Sequence, residues 1–125
     1  MIKLIVTPND INDLDWLLIS VDAILFGIKD MSVNYVEISV DNLNEVVNKI
    51  KLAGKEVFIS LNKNMHNKDL ALLEELLIKC DELHINGIFY YDVAVLQICH
   101  RLSLALPLIW SAEHLVTNFY TIQKL

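Results

Sequence analysis

Glu56-Val57-Phe58-Ile59-Ser60-Leu61-Asn62 is the stretch that decides the fold, read together with Leu70, Leu73, Leu76 and Leu77 that follow it at helical spacing. A short apolar run rich in β-branched and aromatic residues reads as a strand, and the leucine stripe after it reads as one face of an amphipathic helix. The same unit recurs in both directions along the chain. Upstream, Lys3 to Val6 and Ala23 to Phe26 are strand candidates, and Ile11, Leu14, Leu17 and Leu18, then Leu43, Val46, Val47 and Ile50, form helical stripes. Downstream, Ile88 to Tyr91 and Leu108 to Trp110 are strands separated by a helix through Val93, Leu96, Ile98 and Leu102, and Thr117 to Leu125 opens a fifth helix with Phe119, Ile122 and Leu125. Strands that alternate with helices run parallel, because a right-handed crossover returns each strand to the same end of the sheet.

Terminal signals support this division. Asn9, Ser39 or Asp41, Asn67, Asp92 and Thr117 are suited to helix N-caps, and Gly54 closes the second helix before a strand restarts at Lys55. The one long irregular connection runs from Gly27 to about Ile38, and it is the expected mobile loop. With three Gly, two Pro and no low-complexity stretch, nothing divides residues 1–125 into two domains.

A chain of 125 residues is one ordinary domain, long enough to bury about two thirds of its unfolded surface. Its apolar fraction of 54% and mean hydropathy of +0.43 are high. Yet the longest apolar stretches, Trp16 to Ile28 and Leu102 to Trp110, are interrupted by Ser20 and Asp22 and by Ser103 and Pro107, so no membrane span is expected. The excess is read as buried parallel strands plus surface that meets a partner. The start, Met1-Ile2-Lys3-Leu4-Ile5-Val6, lacks the basic and long apolar regions of a signal peptide, and a cytoplasmic location is expected. Cys80 and Cys99 lack the close pairing of zinc or redox motifs and read as two buried thiols, with no cofactor and no metal expected. A net charge of −6, with basic and acidic residues interspersed, argues against a nucleic-acid surface.

Five segments in register resemble the N-terminal part of the peptidase U32 family, the collagenase-like peptidases. Leu4-Ile5-Val6-Thr7-Pro8-Asn9 resembles the family's first strand with its Pro and Asn, and Val21-Asp22-Ala23-Ile24-Leu25-Phe26-Gly27 is similar to its "ADAVYFG" second strand. Val57 to Asn62 followed by His66-Asn67 resembles its third strand and "N…HN". Gly87 to Asp92 with Val95-Leu96 is similar to "DAVIVSDPGVL", and Trp110-Ser111 with Thr117-Asn118 is similar to "LSTQ…VTN". The pattern departs at Ser111-Ala112-Glu113, where a carboxylate replaces an amide, and at Tyr91-Asp92-Val93-Ala94, which lacks the Pro and Gly of the family turn. The family's signature glutamate, glycines and cysteines, and the cysteines that hold an iron–sulfur cluster in hydroxylation-assisting members, lie further along than this sequence extends. The resemblance therefore implies membership and not activity, and the chain alone is expected to be inactive as a peptidase.

Chemistry in parallel α/β folds gathers at the C-terminal rim of the sheet. The rim candidates are Asn9, Asn62, His66, Asp92, Ser111, Glu113 and Asn118. Asn62 and His66 are four residues apart across a strand-to-helix turn, a spacing that lets an amide and an imidazole address one ligand. The structural alternative is that Asn62 closes the turn and His66 precedes a cap. Asp92 is placed to cap the fourth helix by bonding free N–H groups. Ser111, Glu113 and His114 are too close in sequence for a nucleophile triad, and there is no G-x-S-x-G elbow, so no catalytic residue is assigned. His66, His84, His100 and His114 share no metal-ligand spacing.

These readings converge on an α/β fold with a parallel sheet of about five strands and alternating helices, half of a TIM-like barrel. Both outer strands would be open edges, which calls for self-association, for the missing C-terminal half of the barrel, or for a doubly wound sheet. Two functions follow. The chain is the N-terminal segment of a peptidase U32-like protein that contributes ligand contacts, or a non-enzymatic module that homodimerises and binds a small molecule or peptide.

Overall fold

A computed structural model of the chain describes residues 4–8, 10–32 and 37–110. The element order is β1 (Ile5–Val6), α1 (Leu14–Leu17, entered through a 3-10 turn at Ile11–Asp13), β2 (Ala23–Ile28), β3 (Glu37–Ile38), α2 (Leu43–Leu52), β4 (Glu56–Leu61), α3 (Leu70–Glu82), β5 (Gly87–Tyr90), α4 (Val93–Arg101) and β6 (Leu108–Trp110). All pairings are parallel, in the order β1-β2-β4-β5-β6, with β3 joined to the last two residues of β2.

The order of the five main strands never reverses. Right-handed crossovers between successive neighbours therefore put every helix on the same side of the sheet, whereas a doubly wound sheet needs a switch point. Burial along the strands records this. Ile24, Phe26, Ile28, Val57, Ile59, Leu61 and Ile88 are fully buried in one cluster with Leu43, Val47 and Ile50 of α2, Leu73, Leu76, Leu77 and Cys80 of α3, and Val95, Ile98 and Cys99 of α4. The alternate positions, Ile5, Leu25, Phe58, Phe89 and Ile109, belong to the opposite face and none of them joins that cluster. Ile5 is 40% and Ile109 37% exposed. Among the described residues no helix packs on this inner face, which is the arrangement of a barrel segment and not of a doubly wound sheet.

Polar residues just ahead of the strands settle the register at the N-terminal end. The Asp22 carboxylate accepts from the Leu4 N–H at 2.6 Å, and the Asn86 side-chain Oδ1 accepts from the Val57 N–H at 2.9 Å, so each pins the neighbouring strand where it begins. Gly54, at φ +76°, ends α2 as the sequence predicts, because only glycine enters the left-handed region without strain.

The strands Glu56–Leu61 and Leu108–Trp110 match the sequence reading to the residue. The expected loop from Gly27 to Ile38 is partly regular, since β2 continues to Ile28 and β3 pairs with it; residues 33–36 lie outside the described residues. The expected fifth helix, with its Thr117 cap, and Lys3 also lie outside them.

Gly87 has a packing role on the inner face. A Cβ there would stand 2.8 Å from the Phe58 ring and 3.4 Å from Ile109 Cδ1. Gly87→Ala is therefore expected to lower stability by about 1–2 kcal/mol as the ring is displaced. Urea denaturation reads this directly, and an unchanged midpoint would show that Phe58 does not rest on Gly87.

Candidate functional site

The described rim residues gather at the ends of β4 and β5. The β4–β5 ladder extends past the last strand residues through a bond from the Tyr91 N–H to the Leu61 carbonyl at 3.3 Å, which brings Asn62 and Asp92 to neighbouring positions at the rim. Asn62 is buried, at 9% exposure. Strand alternation puts it on the inner face with Phe58 and Ser60.

Asp92 has φ −82° and ψ 132°, the extended backbone of an N-cap, and its Oδ1 accepts from the Ala94 N–H at 2.9 Å. Its Oδ2 accepts from the Met65 N–H at 2.8 Å. One carboxylate thus starts α4 and holds the loop that follows β4. This fulfils the expected cap and adds a tether across 27 residues of sequence that no local pattern shows.

His66, the residue after the tethered Met65, occupies the cap position of the 3-10 turn Asn67–Asp69 that leads into α3. The sequence reading put Asn67 at the cap. The position shifts by one because the Asp69 carboxylate accepts from the His66 N–H at 3.0 Å, while the Asp69 N–H donates to the His66 carbonyl at 2.8 Å. The imidazole is exposed and lines an open cleft of about 430 Å³ with Asp30, Lys63, Lys68, Asp69 and Leu72. Asn62 is not among the residues lining that cleft, so the amide and the imidazole occupy different surroundings despite their spacing. Asn9, Ser111, Glu113 and Asn118 lie outside the described residues.

Sequence reasoning passed over Ser60. It is fully buried on the inner face of β4, and its Oγ has no hydrogen-bond partner, although its carbonyl accepts from the Ser32 hydroxyl. The signal was a single hydroxyl inside the apolar run Val57 to Leu61.

The thiols fit no cluster. Burial pushes the Cys80 thiol up to about 12, with Cys99 adding to the effect, and burial followed by the Asp81 carboxylate raises Cys99. Both are buried on helices that pack on the outer face, and both stay protonated at neutral pH, whereas a cluster ligand is a thiolate. Among the described residues no group of His, Cys, Asp or Glu is placed to hold a metal ion. No helix among them is long and apolar enough to cross a membrane.

The family model for peptidase family U32 matches residues 16–125. The chain belongs to this family. It is 28% identical over 121 residues to the tRNA hydroxylation protein P2 of Bacillus subtilis (strain 168), a match that covers 95% of the chain and 39% of that relative. No solved structure matches the chain. The U32 chain described here thus spans about two fifths of the length of that relative, and its sequential parallel sheet accounts for the register of the five motif segments.

Replacing Asp92 tests its double role. Asp92→Ala is expected to lower stability by about 2–3 kcal/mol, from a lost cap and an unpaired Met65 N–H. Asp92→Asn should cost less, because one oxygen remains to cap Ala94. Chemical denaturation distinguishes these outcomes, and an unperturbed Asp92→Ala protein would remove the tether from the account.

Proposed function

We propose that this chain forms the N-terminal strands of a U32-type barrel that works in tRNA hydroxylation, offering hydrogen-bonding side chains at the C-terminal rim without the catalytic signature. The observation that carries the reading is the sheet itself: among the described residues the strands run in sequential order, the helices pack on one side, and the opposite face carries Ile5, Leu25, Phe58, Phe89 and Ile109 outside the helix-packed core. The relative's name supplies the process, and the match over 95% of the chain supports transferring it. The ligand set on this reading is Asn9, Asn62, His66, Ser111, Glu113 and Asn118, with Asp92 holding the β4 and β5 loops in place. The net charge of −6 assigns the main phosphate contacts to other parts of the assembly.

Further βα units of a U32 protein would cover the inner face and the β6 edge. A second reading, a non-enzymatic module that homodimerises in the cytoplasm and binds a peptide or small molecule, draws on the exposure of Ile5 and Ile109, which suits self-association as well.

Nucleoside mass spectrometry of bulk tRNA from cells with and without the gene tests the first reading. Deletion is expected to remove a hydroxylated nucleoside and to accumulate its counterpart one oxygen lighter, and an unchanged profile would refute it. Light scattering on the purified protein tests the second: a dimer has twice the 14.3 kDa chain mass, and a monodisperse monomer would exclude it.

A further inference from the structure

We propose that the open cleft beside His66 is a contact site for one ribose-phosphate unit of the tRNA backbone. This rests on the tRNA reading above and names the part of the RNA that these loops meet.

The cleft holds about 430 Å³, and its walls come from the loops that follow two neighbouring strands, Asp30 after β2 and Lys63 to Asp69 after β4. It therefore opens at the rim where parallel barrels place their ligands. The fold itself sets these walls. The Lys63 ammonium donates to the Asp30 carbonyl at 3.5 Å and joins the two loops, the Asp92 carboxylate holds the Met65 N–H, and Asp69 bonds the His66 backbone twice.

The charges that line the cleft are uncommitted. Lys49 and Arg101 each pair with a carboxylate, whereas neither Lys63 nor Lys68 forms an ion pair among the described residues. The Asp69 carboxylate is taken up by the His66 N–H, but that of the exposed Asp30 accepts no bond among the described residues. Two ammonium groups and two carboxylates offset each other, so a bare anion gains little here. A ligand that carries an acceptor and a donor together gains from both signs. One repeat of an RNA backbone does so: its phosphate would accept from Lys63, Lys68 and the His66 imidazole, its 2′-hydroxyl would donate to Asp30, and the C–H face of its ribose would lie against Leu72, the one apolar wall. Phosphate contacts position a nucleic acid without reading its sequence, and a 2′-hydroxyl contact separates RNA from DNA.

Amide NMR tests the site with four probes: the tetranucleotide of uridine, its deoxyuridine counterpart, uridine 5′-monophosphate and inorganic phosphate. The RNA tetranucleotide should shift the signals of Asp30, Lys63, His66 and Lys68 and bind about tenfold more tightly than the deoxy form. Lys63→Gln with Lys68→Gln should weaken both about tenfold and leave the denaturation midpoint unmoved, since both side chains are exposed. Asp30→Gly separates a ribose contact from a merely charged surface. Glycine is unstrained at the φ of 70° found there, so the fold is retained, and loss of the carboxylate should abolish the preference for RNA over DNA. A diffuse charge effect would instead raise both affinities and keep their ratio. A kept ratio, shifts elsewhere or none at all, or tighter binding of inorganic phosphate or the monophosphate than of the RNA tetranucleotide would overturn the proposal. Should deletion of the gene leave tRNA nucleosides unchanged while the preference and its loss in Asp30→Gly persist, the tRNA reading falls and the RNA-backbone site stands; an altered nucleoside profile without the preference removes the site alone.

Discussion

Right-handed crossover is the constraint on which the rest depends. When each new parallel strand joins the sheet beside the one before it, every connecting helix lands on the same face, and the order β1-β2-β4-β5-β6 contains no step that would send a helix to the other. One face therefore receives the whole helix layer, with Ile24, Phe26, Val57, Ile59, Leu61 and Ile88 excluded from solvent. The other receives none of the described helices, and at its edges Ile5 and Ile109 stay 40% and 37% exposed.

Polar side chains do the aligning. Asp22 and Asn86 act at the starts of the strands, and Asp92 acts at their ends, each by accepting from a backbone N–H of a neighbouring segment. A carboxylate shared between a helix cap and an adjacent loop links the shape of the rim to the start of α4. The rim is thus built by the same bonds that hold the fold, and Asn62 and His66 inherit their positions from it.

How much of this was legible follows from the range of the interactions involved. Apolar runs bounded by polar residues, such as Val57 to Leu61 between Glu56 and Asn62, declare a strand locally, and the leucines of α3 declare a helix. β2 extends past Phe26 because Gly27 and Ile28 are held by ladder bonds to β3 and β4, which strand propensity does not record. β3, two residues long, carries no periodicity at all. The cap moved from Asn67 to His66 through a side chain three residues on, and the Asp92 tether spans 27 residues. Ser60 was hidden because the burial of its unpaired hydroxyl depends on the face it occupies, not on its neighbours in sequence. Gly87 was read as part of a motif, and its reason is a ring from another strand lying over it.

The packing of α2, α3 and α4 on one face of the sheet alone is the central claim, and methyl NMR contacts measure it most directly. Methyl groups of Ile24, Ile59 and Ile88 should show cross-peaks to the leucines, valines and isoleucines of α2, α3 and α4, while those of Leu25 and Ile109 should show cross-peaks to the Phe58 and Phe89 rings and to no helix. Cross-peaks from Leu25 or Ile109 to α2, α3 or α4 would contradict the account, because they would place helices on both faces of the sheet.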